Sequence, residues 1–483
     1  MVSVLAWIFL GMVALHALGF GHALHALSRT RSREGSVAWF VALITVPWLA
    51  IPAYWFFGRR HSEVYELRIQ AERQTIAERI ERQVFVACGS ALDSALASSP
   101  GVSKTAWENR QEHPPNTERV KLFLDGPTCF DALVQAIEAA QSYVLLGYYS
   151  LEAGQVSKRI LNALEICCAR GVAVCVYYDE MGSQALPKRG VEALRRAGGK
   201  VCGFDMGPRQ RQRLRVNFRN HRKLCVIDGQ AGFIGGINLV DEYLPKDGTP
   251  GWRDTHLWFE GPAVSELQAL WLRDWLWSGG PEPTLAWRQT PSRKTPGTPD
   301  VLTCGLNIIG TGPLRPEPTG AVWACNFIAQ AKRFLWIATP YCIPVEPAAS
   351  LLRAAAERGV DVRVLLPERA DHAWMTWAGD THIHELFGSN IRFYKYRNGF
   401  MHQKVWLSEE LGAVGSMNLD ARSLSLNFDA LALLRGQAVL DALKDMLLAD
   451  FEQARLLTRS PIPEHIWYRR LRSRVASLAS PFL

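Results

Sequence analysis

The chain has 483 residues, 54 Lys and Arg against 46 Asp and Glu, a net charge of +8 and a mean hydropathy of −0.03. With 21% charged and 48% hydrophobic residues it is neither disordered nor fibrous, and its length suits about three domain-sized units. The mild basicity fits an anionic partner, lipid headgroup or nucleic acid, without choosing between them.

Residues 1–57 carry three basic residues (Arg29, Arg31, Arg33) and one acid, Glu34. Two charge-free stretches fill this segment, Val2–Leu27 and Ser36–Phe57. About 20 apolar residues cross a bilayer, so two transmembrane helices are expected over 1–57. A signal peptide is the alternative for the first stretch, but it has no basic leader and a second apolar stretch follows at once. Pro47 and Pro52 are tolerable in a membrane helix, and Trp39, Trp48, Tyr54 and Trp55 suit its interfaces. Three Arg in the short loop and four after the second stretch (Arg59, Arg60, Arg68, Arg73) lean towards a cytoplasmic body.

A charged connecting helix is expected over His61–Gln83, stabilised by i,i+4 pairs, then a polar loop to residue 117. Five prolines mark Pro281–Pro299 as a linker. The segments on either side of it resemble each other. The first has YVLLGYY (143–149), an apolar-periodic stretch and RGVAVCV (170–176); the second has FLWIA (334–338), a similar stretch and RGVDVRV (358–364). Both read strand, helix, glycine cap, strand, which indicates α/β units with parallel strands. The ten cysteines form no C-x-x-C pair, and Cys129, Cys175 and Cys225 sit in apolar runs as buried hydrophobes. This suits a reducing compartment.

A second correspondence carries the chemistry. The first segment holds His221-x-Lys223-x₄-Asp228-x₆-Gly235-Gly236-Ile237-Asn238; the second holds His402-x-Lys404 and, downstream, Gly415-Ser416-Met417-Asn418. In a strand, residues i and i+2 share a face, so each His projects with its Lys, while the glycine turn lets backbone approach closely. A neutral imidazole attacks phosphorus, a protonated one donates to the leaving alcohol, and Lys and Asn stabilise charge on phosphoryl oxygens. One H-x-K is a weak signal; two, each with a glycine–asparagine turn, are a strong one.

On these residues the sequence resembles the phospholipase D superfamily, whose signature is H-x-K-x₄-D-x₆-G-S-x-N, twice. The runs NFRNHRKLCVI (217–227), GGINLVDEY (235–243), WRDTH (252–256), ATPYCIP (338–344) and GSMNLDARSLSLNFD (415–429) look like bacterial cardiolipin synthases. The resemblance implies an α/β fold in which two pseudo-symmetric phospholipase D-like domains, 118–280 and 301–483, share one active site behind an N-terminal transmembrane hairpin. It implies a multi-pass protein of the bacterial inner membrane that makes cardiolipin and glycerol from two phosphatidylglycerol molecules, without cofactor, metal or nucleic acid. The intermediate is a phosphatidyl-histidine, with His221 as nucleophile and His402 as general acid. Asp254 and Asp429 are expected to orient the histidine of the opposite motif. Lys223, Asp228, Asn238, Lys404, Glu409, Ser416 and Asn418 complete the expected site. Three departures from the pattern stand out: Glu409 at an Asp position with a turn one residue shorter, Asp429 where glutamate is common, and Gly236 for serine.

Other readings of the catalytic motifs are a hydrolase, a transferase using another lipid such as phosphatidylethanolamine, a nuclease, and an inactive scaffold. Seven basic residues in Arg209–Lys223 read as an anionic funnel or a solvated loop. Asp380-x-His382-x-His384-Glu385 has the look of metal ligands, but surface histidines are common and the chemistry needs no metal. The cluster Trp252, Trp258, Trp271, Trp275 and Trp277 reads as packing. The basic end, Ile466–Leu483, reads as a membrane contact or an ordinary packed helix.

Overall fold

The computed structural model describes residues 2–29, 33–55, 75–76, 78–80, 82, 118–204, 219–287, 300–313, 319–369, 371, 373–462 and 467–478. Of the expected connecting helix, residues 75–76, 78–80 and 82 are described and helical; the rest of it, the loop after it, most of the proline-rich linker and most of the basic run lie outside the described residues. The chain forms two compact units, Met1–Thr75 and Ile76–Leu483.

In the first unit, α1 (Val2–Arg29) contains one stretch, Ala6–Ser28, long and apolar enough to cross a membrane. The second expected span is divided into α2 (Arg33–Thr45) and α3 (Pro47–Ala53). At 13 residues, α2 rises only about 20 Å, short of the ~30 Å hydrocarbon core. Pro47 is the cause, because it has no N–H to donate to the carbonyl of Leu43. Gly19 of α1 approaches that carbonyl closely, since a Cβ there would lie 2.3 Å from it. The expectation of two spans is therefore corrected to one candidate span among the described residues. His25 Nδ1 meets the Tyr54 hydroxyl at 2.8 Å, and Trp55 Nε1 donates to His22 Nε2 at 2.9 Å.

The second unit is a doubled α/β body. Its first half runs β1 (Glu118–Phe123), α4 (Gly126–Ala139), β2 (Tyr143–Tyr148), α5 (Gln155–Ala169), β3 (Ala173–Asp179), α6 (Lys188–Arg196), β4 (Lys200–Phe204), β5 (Lys223–Ile227), β6 (Ala231–Gly235), β7 (His256–Glu260) and α7 (Ala263–Trp277). The second half runs β8 (Leu302–Thr311), α8 (Thr319–Gln330), β9 (Phe334–Ala338), β10 (Cys342–Ile343), α9 (Glu346–Glu357), β11 (Asp361–Pro367), α10 (Ala373–Leu386) and β12 (Arg392–Tyr396). It continues through β13 (Val405–Ser408), β14 (Gly412–Gly415), β15 (Leu419–Asp420), α11 (Ala421–Ser425), β16 (Asp429–Arg435), α12 (Gln437–Glu452), β17 (Ala454–Leu456) and α13 (Trp467–Leu478). The two glycines after the R-G-V arginines take φ +83° (Gly171) and +87° (Gly359), a conformation that favours glycine and ends each preceding helix.

Fifteen strands form one sheet in the order β17-β12-β11-β9-β13-β14-β16-β8-β1-β7-β6-β5-β2-β3-β4. The order is a palindrome about the antiparallel β8–β1 pair, apart from β17. In each half the strand before the first crossover pairs parallel with the next and antiparallel with the His-x-Lys strand: β2 with β3 and β5, β9 with β11 and β13. Each half has its own core, one around Phe130, Leu146, Ile160 and Phe233, the other around Trp323, Phe327, Leu352 and Trp406. Trp271 and Trp275 stack at 5.2 Å and are fully buried. Helix α13 packs Ala476 beside Met375 and Ala378 of α10, with the Arg472 guanidinium 4.3 Å from the Trp377 ring centre.

Buried charge ties the halves together. Arg222 donates to both oxygens of Asp274 on α7 at 2.5 and 2.6 Å, and to the carbonyls of Asp429 (3.0 Å) and Thr311 (2.8 Å) in the second half. It is thus a structural staple rather than part of a solvated funnel. Asp450 on α12 receives Arg253 at 3.0 and 2.8 Å and Gln403 at 2.7 Å. Breaking a buried pair on one side strands the other charge. Arg222→Ala is expected to cost about 3–5 kcal/mol of stability, and Arg222→Met with Asp274→Leu to regain most of it, as measured by chemical denaturation.

Candidate active site

The two His-x-Lys motifs stand at the starts of β5 and β13, and each is pinned to the opposite half by a short parallel bridge. Asn220 pairs with Phe428, and Arg253 with Met401. His221 N donates to Phe428 O at 2.8 Å, and His402 N donates to Arg253 O at 2.7 Å. The residue after each bridging partner is a carboxylate, so the bridges deliver Asp429 to His221 and Asp254 to His402. The contacts are Nδ1 to Oδ1 at 3.0 Å and Nδ1 to Oδ2 at 2.8 Å. Among the described residues neither Nε2 makes a hydrogen bond. Lys223 and Lys404 are buried between these pairs, each donating back to the carbonyl of its own histidine.

The two pairs are not equivalent. His221 Nδ1 lies between two acceptors, Asp429 Oδ1 and Ser416 O, both at 3.0 Å. That nitrogen therefore carries the proton, and the Nε2 lone pair is left for chemistry. Ser416 Oγ steadies the carboxylate, donating to Asp429 Oδ1 at 2.6 Å. In the other pair, Gly236 occupies the serine position, and a Cβ there would lie 2.1 Å from Asp254 Oδ1. The hydroxyl comes instead from Tyr243, which donates to Asp254 Oδ2 at 3.1 Å and meets His402 Nδ1 at 2.9 Å. Lys404 Nζ is 2.7 Å from the same nitrogen. Aromatic rings line this side, with the Trp252 ring 5.3 Å and the Phe400 ring 5.9 Å from His402.

Burial sets the charges. It lowers the His221 imidazole to about 3, with the Lys223 ammonium adding to the effect and Asp429 opposing it. It lowers His402 to about 4, with Lys404 acting the same way and Asp254 opposing. Burial also pulls Lys404 down to about 8 and Lys223 well below the usual lysine range, the latter helped by repulsion from Lys404. Two lysines and two imidazoles whose affinity for protons burial has lowered make a pocket where a bound anion favours the protonated forms again.

Several expected site residues lie elsewhere or act differently. Asp228 follows the far end of β5, about 20 Å along the strand from His221, where its carboxylate accepts from the amides of Gln141, Ser142 and Tyr143 at 2.8, 2.7 and 2.8 Å. Glu409 does the same for Lys332, Arg333 and Phe334, at 2.8, 3.4 and 3.5 Å. Both are anchors of the strand leading into each half, and neither joins the histidines. The longer glutamate spans the gap left by the shortened turn. Asn238 and Asn418 lie at the turns near the histidines, where Asn238 Oδ1 accepts from Ser150 N at 3.4 Å and Asn418 Nδ2 donates to Asp420 at 3.0 Å. On α10, His384 meets Ser460 at 2.7 Å and His382 meets Glu385 at 3.8 Å. No cluster of three or more potential metal donors occurs among the described residues. Tyr243 was missed from sequence, although it lies in the GGINLVDEY run; its contact is made with a residue 159 positions away.

The family described as "Cardiolipin synthase, PLD-like domain" matches residues 133–248 and 324–453, and "Phospholipase D-nuclease N-terminal" matches residues 16–59. Cardiolipin synthase A of Pseudomonas entomophila is 36% identical over 97% of both chains. Its namesake in Pseudomonas putida is 37% identical over 97% of this chain and 96% of that one. The chain belongs to the phospholipase D-like cardiolipin synthase family. It is an enzyme of this phosphatidyltransferase type, a phospholipid synthase, and its family and its apolar N-terminal helix make it membrane-associated. The crystal structure of phosphatidylserine synthase from Haemophilus influenzae shares the fold, with a TM-score of 0.60 at 13% identity over 79% of this chain and all of that one.

Tyr243→Phe is expected to leave the protein folded and to lower turnover roughly tenfold, the scale of one buried hydrogen bond, with a shifted pH profile of kcat. His256 supports a second expectation. It is fully buried, both ring nitrogens lack partners among the described residues, and burial lowers it to about 3. The unfolded chain protonates this group near its ordinary 6.5, so folding is favoured above that pH and loses stability as pH falls towards 3. The slope approaches about 1.4 kcal/mol per pH unit per group. His256→Leu, which copies Leu431 of the matching strand, should flatten the decline of the thermal midpoint between pH 6.5 and 4.

Proposed function

We propose that the enzyme transfers the phosphatidyl group of one phosphatidylglycerol to a glycerol hydroxyl of another, releasing glycerol and forming cardiolipin. The observation that carries the reading is the reciprocal pairing of the two histidines, with His221 Nδ1 held between two acceptors. His221 Nε2 attacks phosphorus as the P–O bond to the departing glycerol breaks, and that oxygen takes a proton from His402 Nε2. The second phosphatidylglycerol then gives its hydroxyl proton to His402, its oxygen attacks phosphorus, and the P–N bond to His221 breaks. Lys223, Lys404, Asn238 and Asn418 supply positive charge and donors for the non-bridging oxygens. The bound phosphate restores charge balance to a pocket that otherwise depresses both lysines.

The names of the curated relatives support cardiolipin as product. The apolar helix α1 supports anchoring in the bacterial cell membrane, with the phospholipid substrate supplied by the bilayer. Residues 118–280 and 301–483 are read as the two repeated halves, each giving one histidine. With water as acceptor the same pocket would yield phosphatidic acid, so the product decides between the readings.

With phosphatidylglycerol alone in mixed micelles, the full-length protein is expected to form cardiolipin and glycerol in equal amounts. His221→Ala and His402→Ala should each lower turnover by more than about a hundredfold. Mass spectrometry of the quenched His402→Ala protein should find the phosphatidyl adduct on His221. An adduct on His402 in wild type would reverse the two roles, and phosphatidic acid as the sole product would reject the transferase reading.

A further inference from the structure

Tyr149 follows directly on β2, and its side chain stands against both chemical groups of the first motif. Its ring lies 4.7 Å from the His221 ring, edge to face at 67°, and 5.0 Å from Lys223 Nζ. Three contacts hold it there. Arg219 Nη1 donates to its hydroxyl at 3.2 Å. Its carbonyl accepts from Ser183 Oγ at 3.0 Å, and that oxygen accepts from Leu151 N at 3.1 Å. Gly182 backs the ring, since a Cβ there would lie 2.6 Å from ring carbon Cε2.

The two motif lysines differ in what offsets their charge. Lys404 Nζ lies 3.6 Å from Asp254 Oδ2. Lys223 forms no ion pair among the described residues; its ammonium donates to the His221 carbonyl at 2.5 Å and meets the Tyr149 ring. Burial pulls this ammonium well below the usual lysine range. Lys404 adds to the effect, and Asp429, Asp254 and Asp179 oppose it without pairing. A ring attracts a cation within about 6 Å, more strongly out of water. Unlike a carboxylate it has no net charge, so it supports the ammonium without neutralising it. Pro340 holds the matching place in the second half. Tyr148 faces Lys223 in the β2–β5 pair, and Ala338 faces Val405, the residue after Lys404, in the β9–β13 pair. The first motif thus has an aromatic ring where the second relies on a carboxylate.

We infer that Tyr149 is a positioning residue for the transfer step, its ring keeping Lys223 charged for the phosphoryl oxygens and holding the His221 imidazole in its attacking orientation. It acts through these two side chains, and Arg219 and Gly182 serve the ring. A lysine matched with a ring keeps its whole charge for the phosphate on His221, whereas Lys404 shares its charge with Asp254 on the side of the proton donor. This inference rests on the reading that His221 and Lys223 handle the transferred phosphoryl group.

The test is the pH dependence of kcat/KM for cardiolipin formation by full-length protein in phosphatidylglycerol micelles. Three replacements of Tyr149 are compared: Tyr149→Phe, Tyr149→Leu and a ring-trifluorinated phenylalanine. Without the electron-rich face Lys223 binds its proton less tightly, so the alkaline limb, to which both lysines contribute, moves to lower pH. Tyr149→Leu should move it by about one unit, which is about a tenfold loss on that side, the scale of a cation–π contact out of water. Tyr149→Phe keeps the ring and should keep the limb. The fluorinated ring has nearly the same shape but no negative face, so it should match Tyr149→Leu, and it carries the test if the leucine variant fails to fold. A fluorinated variant that matches Tyr149→Phe, a phenylalanine variant shifted as far as the leucine one, or an unmoved limb in Tyr149→Leu would each overturn the inference. Lys223→Met separates this failure from that of the underlying reading. It should abolish turnover; if it stays active, the assignment of Lys223 to the phosphoryl group falls and the role of Tyr149 with it.

Discussion

Neither half of this molecule can complete a histidine–carboxylate pair alone. His221 belongs to the first half and its carboxylate, Asp429, to the second; His402 belongs to the second and Asp254 to the first. The exchange depends on two short parallel bridges, Asn220 to Phe428 and Arg253 to Met401. Much of the surrounding structure holds these bridges in register. Arg222 reaches from the first motif to the carbonyls of Asp429 and Thr311, while Arg253 and Gln403 converge on Asp450. Burying four charged or titratable groups side by side is costly unless each is partnered, and the partners come from across the junction.

Symmetry of the fold does not extend to symmetry of the chemistry. Serine on one side and tyrosine on the other hold the two carboxylates, and Gly236 is what makes room for the second arrangement. His221 faces acceptors only, whereas His402 meets a carboxylate, a phenol and an ammonium. The polar surroundings of His221, with Tyr149 and Arg219, contrast with the Trp252 and Phe400 rings against His402. Two copies of one fold thus offer two different environments, which a reaction needing both a nucleophile and a proton donor requires.

The departures from the expected pattern have local reasons. Glu409 replaces an aspartate before a turn one residue shorter, yet its carboxylate reaches three successive amides, 332–334, as Asp228 reaches 141–143 in the first half. The change preserves an anchor and does not touch the histidines. At the N-terminus, hydropathy counted residues 36–57 as a span, but Pro47 divides the helix and leaves one long apolar stretch. Composition measures how apolar a segment is and is blind to a missing backbone donor.

The repeat was legible in the chain because it is written in local patterns: the R-G-V-x-V-x-V strands, the glycine caps and the paired His-x-Lys motifs. Alternation and glycine placement fix strands and helix ends through neighbouring residues alone, and the motif residues identified the family. The resemblance also suggested that each aspartate serves the opposite histidine. Tertiary structure decided what depends on distance in space. It put Tyr243 on His402, turned Arg222 from a funnel or solvated-loop residue into a buried staple, and moved Asp228 and Glu409 out of the site. Contacts between residues 52 to 207 positions apart leave no periodicity in the sequence, and a hydroxyl or guanidinium has no assignable partner until the strands that carry it are paired.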